Sequence, residues 1–261
     1  LQPMACLFSD VGPDVRWVGN ESGIAGDPCW ATMDTRGFVP GEADMTVLNA
    51  GQREGQVWLP AECDVSIRPG WFYHAAEDDR VKTPAELMDL YFQSVGRGGS
   101  LLLNLPPDRR GRIHENDAYA LRQFRAMLDK VLAVNLATQA RAEAPQGGLT
   151  DPRFTPDRVN DGNPETFWSP GEGVTRAELC LELPAPVAVG VVSLREYLPL
   201  GQRVNRFAVD AWTAKGWQEI GAGQSIGNRR LFKITPVTTV RIRLRIEEAV
   251  ASPAITEIAL Y

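Results

Sequence analysis

Histidine is scarce in this sequence: His74 and His114 are the only two among 261 residues. That scarcity argues against a histidine-rich metal centre and against a Ser-His-Asp triad. Cysteine is scarce too, and Cys6, Cys29, Cys63 and Cys180 have neither CxxC spacing nor the density of a disulfide scaffold. Cys6 and Cys63 sit in apolar strand patterns, which predicts buried free thiols. No low-complexity tract occurs, and the longest apolar run, Pro186 to Leu194 with a glycine inside it, is far too short to cross a bilayer. A signal-peptide pattern is absent as well. Position 1 is leucine, and "LQPMACLFSD" reads as a loop entering a strand, as in a chain that begins inside a domain.

Positive charge is in deficit. The net charge is −6, and residues 1–134 carry all of it, with 13 Lys/Arg against 19 Asp/Glu, whereas residues 135–261 carry 14 of each. An acidic half without a basic stripe argues against a nucleic-acid partner, and nothing points to a membrane. It suits a neutral ligand handled by carboxylates, and a solvated acidic surface equally well. The remainder is ordinary globular material, 44% hydrophobic and 23% charged, long enough for one large or two ordinary domains.

Residues 4–9, "MACLFS", have the pattern of a short buried strand. The Gly- and Pro-rich stretch after it, "DVGPDVRWVGNESGIAGDPCW", is too irregular for helix or strand and predicts a long functional loop carrying Arg16, Trp17, Glu21 and Trp30. A strand follows over 62–67. In "TPAELMDLYFQSVGRGG", Thr83 and Glu86 supply a capping box and Pro84 the first helical position, Leu87, Leu90 and Tyr91 form an inward stripe, and glycines end the helix. "SLLLNLPPD" is apolar without alternation, the mark of a strand covered on both faces. "ENDAYALRQFRAMLDKVLAV" gives a second helix, with Leu121, Phe124 and Leu128 at helical spacing. This alternation predicts a parallel α/β sheet.

"AECDVSIRPGW" is the most informative segment. At period two, Glu62, Asp64, Ser66 and Arg68 share one face, and Cys63, Val65 and Ile67 the other. On an edge strand the polar face would simply meet water. Within a doubly covered parallel sheet the three charges would be enclosed, and enclosed charges need partners or a task. Their place near one end of such a strand is where α/β barrels keep their chemistry.

From residue 135 the character changes. Residues 135–170 are loop-rich, and short alternating segments follow: "AELCLELP", "VGVVSLREYL", "RFAVDAWT", "VTTVRIRLRI" and "ITEIALY". Turn signals such as Lys215-Gly216 and Ile226-Gly227-Asn228 separate them, which predicts an all-β sandwich. The alternation of Arg241, Arg243 and Arg245 with Ile242, Leu244 and Ile246 predicts a solvated sheet face.

Three blocks, "FSDVGPDVRWVGNESG", "PAECDVSIRPGWFYHAAED" and "SVGRGGSLLLNLPPDRRGRI", occur in order over residues 8–113. They resemble the α-L-fucosidases of glycoside hydrolase family twenty-nine, in particular the branch acting on α-1,3/1,4-linked fucose in Lewis-type and plant N-glycan structures. "VNDGNPETFWSP" and "LREYLPLGQRV" resemble the discoidin-like (coagulation-factor type C) sandwich often appended to these enzymes. The resemblance implies an α/β region followed by an all-β region. Residues 1–134 would be the carboxyl-terminal part of a (β/α) TIM-like barrel, and residues 135–261 a discoidin-like, jelly-roll β-sandwich. It also implies a retaining hydrolase, in which an aspartate attacks the anomeric carbon of fucose while a carboxylic acid protonates the departing oxygen. Family members carry that aspartate well ahead of the "FSD" block, in a sequence like "VWFDG", and no such segment occurs here. A closed barrel takes eight strands and about 250 residues, whereas only three strand candidates precede the sandwich. The expectation is a partial fucosidase whose nucleophile-bearing half lies outside these residues. Its partner would be a fucosylated oligosaccharide, with no cofactor for catalysis and a secreted or periplasmic setting.

The resemblance assigns the acid/base to Glu21 in "RWVGNESG", where neighbouring glycines would let the loop swing over the glycosidic oxygen. A dry, aromatic-lined pocket would raise its pKa as a general acid requires. A solvated loop glutamate is the plain alternative, and Glu62, more rigid on its strand, is the rival for the role. Arg16 and Trp17 resemble the family's pair beside fucose, and a guanidinium offers a planar fork for ring hydroxyls. Glu62, Asp64 and Arg68 complete the expected substrate contacts, with Trp58 and Trp71 offering flat faces for sugar C–H patches. His74 is expected to be a hydrogen-bonded loop residue. In the sandwich, Asp161, turn carbonyls, Thr166 and the late Glu257 resemble the all-oxygen set that holds a structural Ca²⁺ in related domains; an Asx turn in a capped loop is the alternative. A different reading of the whole makes the sandwich a glycan-binding or adhesion module beside a vestigial, inactive barrel remnant.

Overall fold

The computed structural model describes residues 2–145 and 151–261. Residue 1 and residues 146–150, which belong to the segments read as an entering loop and a loop-rich stretch, lie outside the described residues. Backbone proximity divides the chain into two compact units, Leu1–Val95 with Gly99–Ala133, and Gly96–Gly98 with Val134–Tyr261. Among the described residues no helix is long and apolar enough to cross a membrane.

In chain order the first unit holds β1 (Phe8–Ser9), β2 (Val15–Trp17), β3 (Thr32–Met33), helix α1 (Met45–Ala50), β4 (Val57–Trp58), β5 (Ala61–Ser66), helix α2 (Pro84–Gln93), β6 (Ser100–Asn104) and helix α3 (Glu115–Val131). Strands β1, β2, β5 and β6 form one sheet in that order with every pairing parallel, and β3 and β4 form a separate antiparallel ribbon. The helices begin where side chains satisfy their free N–H groups. Thr83 Oγ1 accepts from Glu86 N at 3.3 Å while Glu86 Oε2 accepts from Thr83 N at 2.7 Å, the capping box of α2. His114 Nδ1 accepts from Asn116 N at 3.3 Å and caps α3.

Three expectations for this unit are corrected. Residues 4–9 are not a buried strand: only Phe8–Ser9 pair, on the outermost strand, and Cys6, Leu7 and Phe8 are exposed, so the Cys6 thiol is not buried. The stretch after it is not all loop, because Val15–Trp17 pairs with β5 in a strand too short to show a period. Nor is β6 covered on both faces. Leu101 and Leu103 pack with Leu87, Leu90 and Ala120 from the two helices, whereas Leu102, which the pleat turns the other way, is 44% exposed. Helices therefore close one face of the sheet only. On β5, Ala61, Cys63 and Val65 are buried, and Glu62 and Asp64 stand half-buried beside their register partners Ser100 and Leu102.

The second unit holds β7 (Arg141–Glu143), β8 (Ala177–Glu196), β9 (Val204–Thr213), β10 (Gly216–Gly223), β11 (Arg230–Ala249) and β12 (Ile255–Leu260). All pair antiparallel in the order β10-β9-β11-β8-β12, with β7 also against β8. "AELCLELP" and "VGVVSLREYL", expected as separate strands, lie in one 20-residue strand, and β11 runs equally far through Pro236. Proline has no ladder donor, and register shifts between Lys233 and Val237 and between Thr239 and Arg241 accommodate the break. Trp168, Phe207, Leu181, Val192 and Leu244 are among the residues of the core these strands enclose. The arginine ladder is not simply solvated: Arg243 and Arg245 each lie 2.8 Å from the buried Asp210 carboxylate, and Arg241 lies 5.4 Å over the Trp217 ring.

Glu196, at the end of β8, is buried and accepts three backbone N–H groups: Arg203 at 2.7 Å, Val204 at 2.9 Å and Gly227 at 2.7 Å. Burial outweighs those bonds and pushes its pKa up from 4.5 to about 7. Between these values the folded state keeps a proton that the unfolded chain has released. The stability linked to this group is thus complete below about pH 4.5 and declines by up to about 3 kcal/mol as the pH rises through 7. Glu196→Gln should flatten that decline in urea titrations run across this pH range. An unchanged slope in the variant would contradict the assignment.

Candidate active site on the open sheet face

The site grows from β5. Trp17, the last residue of β2, is in register with Glu62, and its indole Nε1 donates to Asp64 Oδ1 at 2.6 Å. Burial raises the Asp64 pKa, against the Trp17 hydrogen bond and with a further push from the charge of Glu21. Burial and then the Asp64 charge raise that of Glu62. Adjacent carboxyls with raised pKa values suit proton transfer and the binding of sugar hydroxyls.

Glu21 comes from the loop that leaves β2. Asn20 fastens this loop, its Nδ2 donating to Ile24 O at 2.9 Å and its Oδ1 accepting from Ser22 N at 3.1 Å. Ser22 forms an isolated bridge to Val65, which lays the loop across β5. Gly23 makes that crossing passable: its φ is +73°, and a Cβ there would meet Val65 Cγ1 at 2.7 Å. Glu21 itself is exposed, so the dry pocket expected around it is not formed by the described residues. Its Oε2 accepts from Trp71 Nε1 at 2.7 Å. Trp71 is held from behind by Asn104, whose Nδ2 donates to Trp71 O at 2.9 Å and to Ser66 Oγ at 3.1 Å. Trp17, Glu21, Glu62, Asp64 and Trp71 are thus brought together.

The two arginines expected at the substrate are not. Arg16 is fully buried: Nε donates to Leu48 O at 2.8 Å, Nη1 to Leu59 O, and Nη2 faces Cys29 Sγ at 3.7 Å. Burial lowers its pKa, with Cys29 opposing. Arg16 and Trp17 are neighbours on a strand and so point to opposite faces, which leaves only the tryptophan on the open side. Arg68 lies beyond the last residue of β5, so the period-two face does not extend to it. Its guanidinium forks onto Asp117 of α3 at 2.9 and 2.8 Å and reaches Asp78 at 3.0 Å. Burial works against its charge, but the Asp117 and Asp78 bonds prevail and raise its pKa. Trp58 is 41% exposed on the β3–β4 ribbon, ahead of the amino end of β5, and takes no part in the hydrogen bonds that join the cluster. His74 is a loop residue whose carbonyl accepts from Arg68 Nη1 at 3.5 Å.

Asn104 and Asp117 carry weight that the sequence patterns did not assign to them. Asp117 sits in the first turn of α3, where an acidic residue complements the helix dipole and suggests nothing further. Asn104 closes an apolar run, and its position beside Ser66 follows only from the β5–β6 register.

In the second unit Asp161 Oδ1 accepts from Asn163 N at 2.9 Å and Oδ2 from Thr166 Oγ1 at 2.8 Å, the Asx turn of the alternative reading. Thr256 Oγ1 donates to Thr166 O at 2.6 Å, and Glu257 lines a cavity of about 120 Å³ with Asn163 and Pro164. Among the described residues no three Asp, Glu, His or Cys side chains gather, Asp161 is not among the residues that line this cavity, and Arg158 Nη1 lies 3.5 Å from Asp161 Oδ2. The donors on offer are all oxygens, the kind Ca²⁺ takes in preference to softer ions.

The chain is similar to known proteins over nearly its whole length. Residues 33–131 match the family model described as Alpha-L-fucosidase. Alpha-L-fucosidase 1 of Arabidopsis thaliana is 37% identical over 265 residues, covering 100% of this chain and 52% of that protein. The crystal structure of SpGH29 shares 36% identity at a TM-score of 0.91, over 98% of this chain and 56% of that one. This chain belongs to the α-L-fucosidase family. A Ruminococcus gnavus GH29 fucosidase solved in complex with fucose is 28% identical at a TM-score of 0.86, covering 95% of this chain and 50% of that one. The chain spans about half the length of the curated relatives it matches.

In this member of a glycoside hydrolase family, Arg68 braces the strand end that leads to Trp71. Removing Asp117 would leave the buried guanidinium with only the part-exposed Asp78. Asp117→Ala should therefore cost roughly 2–3 kcal/mol of unfolding free energy in urea, less than a fully broken buried pair; a cost below about 1 kcal/mol, the range of an exposed pair, would refute the structural role.

Proposed function

We propose that the chain is the carboxyl-terminal portion of a retaining α-L-fucosidase, of the branch that removes α-1,3/1,4-linked fucose from Lewis-type or N-glycan oligosaccharides. The nucleophilic aspartate would come from a segment upstream of these residues. One set of contacts carries the reading: Glu21, on a loop laid across β5, is tethered by Trp71 to the side of the sheet that bears Glu62, Asp64 and Trp17. The fucose in the Ruminococcus gnavus complex supports a fucosylated substrate.

Glu21 is the acid/base in this scheme. As the glycosidic C–O bond breaks, its proton passes to the departing oxygen while the upstream aspartate bonds to the anomeric carbon. The Glu21 carboxylate then takes a proton from the water whose oxygen displaces that aspartate. Glu62 and Asp64, on a rigid strand, accept hydrogen bonds from sugar hydroxyls, and Trp17 and Trp71 offer apolar ring faces. Residues 135–261 form the discoidin-like sandwich, with Ca²⁺ bracing the Asp161–Thr166 turn and Glu257, in a secreted or periplasmic setting.

The chain and an upstream-extended form, incubated with a Lewis-type trisaccharide, test the reading through release of free fucose. Release is expected from the extended form, and release from neither overturns it. Glu21→Ala in the extended form should lower kcat by about 10²–10⁴ on substrates with poor leaving groups, the range for a lost general acid, and azide should partly restore turnover. If Glu62→Ala behaves this way instead, the two roles are exchanged. Calcium is tested apart from activity. One millimolar Ca²⁺, chosen from the roughly 10⁻⁴–10⁻³ M affinities of extracellular sites, should raise the melting temperature of the second unit, EGTA should reverse the rise, and Asp161→Ala should abolish it. An unshifted melt removes the cation from the scheme.

A further inference from the structure

We infer that Asn104 is a positioning residue for Glu21, acting through Trp71; the inference rests on Glu21 being the acid/base. Asn104 is the last residue of β6 and lies in register with Ser66, the last of β5. Both protons of its amide nitrogen are placed, one on Ser66 Oγ at 3.1 Å and one on Trp71 O at 2.9 Å. Ser66 Oγ in turn donates to Gly70 O at 2.7 Å and accepts from Arg68 N at 3.3 Å. The turn from Ser66 to Trp71 is thus closed around one hydroxyl, and its far end is pinned to the neighbouring strand. From that pinned backbone the Trp71 indole reaches Glu21 Oε2 at 2.7 Å.

Glu21 needs such a tether. It is exposed on a loop, and an untethered glutamate loses rotamer entropy whenever it is brought to one geometry. Loss of the Asn104 bond to Trp71 O frees the indole to drift, which loosens the carboxylate. Asn104 never touches the sugar in this scheme, so its effect should track demand for the proton and not demand for binding.

Leaving-group dependence separates this role from that of a simple brace between strands. Asn104→Ala and Asn104→Asp, made in the upstream-extended enzyme, should lose about tenfold in kcat/KM on a Lewis-type trisaccharide, part of the 10²–10⁴ available to a general acid. On fucosyl fluoride, whose leaving group needs little protonation, the loss should stay below about twofold. Trp71→Phe, which removes the indole N–H itself, should give the same split between the two substrates. Equal losses on both substrates would mean a brace only and overturn the inference. Ser66→Ala, which removes one of the two Asn104 acceptors, should give a smaller version of the same split, and it serves if either Asn104 variant melts too low to assay. Failure of the unaltered extended enzyme to release fucose from either substrate overturns the functional reading itself. Release by that enzyme with no split in any variant overturns this inference alone.

Discussion

The two-residue pleat of β5 is the constraint on which the first unit depends. Cys63 and Val65 must turn towards buried apolar neighbours, because Val65 packs with Leu87 and Leu90 of α2. The same geometry then turns Glu62 and Asp64 to the other face without further instruction. A shift of one residue in the pairing of β5 with β6 would bury both carboxylates under the helices and expose the apolar set. The core thus holds the candidate site in place: the cost of moving the acidic face is the cost of unpacking the apolar one.

Charge burial supplies the second organising rule. Arg16 and Arg68 are both buried, and in each case the surroundings show why neither is offered to a ligand. Arg68 meets two carboxylates, Asp117 and Asp78, and its charge is stabilised where it stands. Arg16 meets backbone carbonyls and the Cys29 sulfur instead, and burial lowers its pKa. One joins a strand end to a helix; the other ties β2 to α1 and to the segment ahead of β5. Among the described residues, what remains with Glu62 and Asp64 is acidic and aromatic, a surface with hydrogen-bond acceptors and flat apolar rings. That composition matches a neutral polyhydroxylated ligand better than an anion.

Much of this is legible in the residues alone. The capping box at Thr83 and Glu86, the helical stripe of α3 and the alternation in β5 are local patterns, and local physics produced the elements they indicate. The failures share a cause. Residues 4–9 and the apolar run of β6 were expected to be buried from their composition, but burial depends on what lies across from a strand. β1 is an outermost strand with exposed residues, and Leu102 faces away from the helices. The two 20-residue strands of the second unit were cut at their prolines, because a missing N–H looks final in sequence while a register shift can absorb it in a sheet.

The site divides along the same line. By itself the sequence determined that Glu62 and Asp64 share a face, that Glu21 rides on a glycine-flanked loop, and which family's blocks surround them, since periodicity and motif order are properties of the chain alone. Only the tertiary structure decided that Arg16 and Arg68 serve the scaffold, that Trp71 reaches Glu21, and that Asn104 stands behind Trp71. Those are contacts between residues 32 to 50 positions apart, or between groups beyond a strand's last residue. Chain-distant hydrogen bonds are set by strand order and register, and no spacing rule along a single strand contains them.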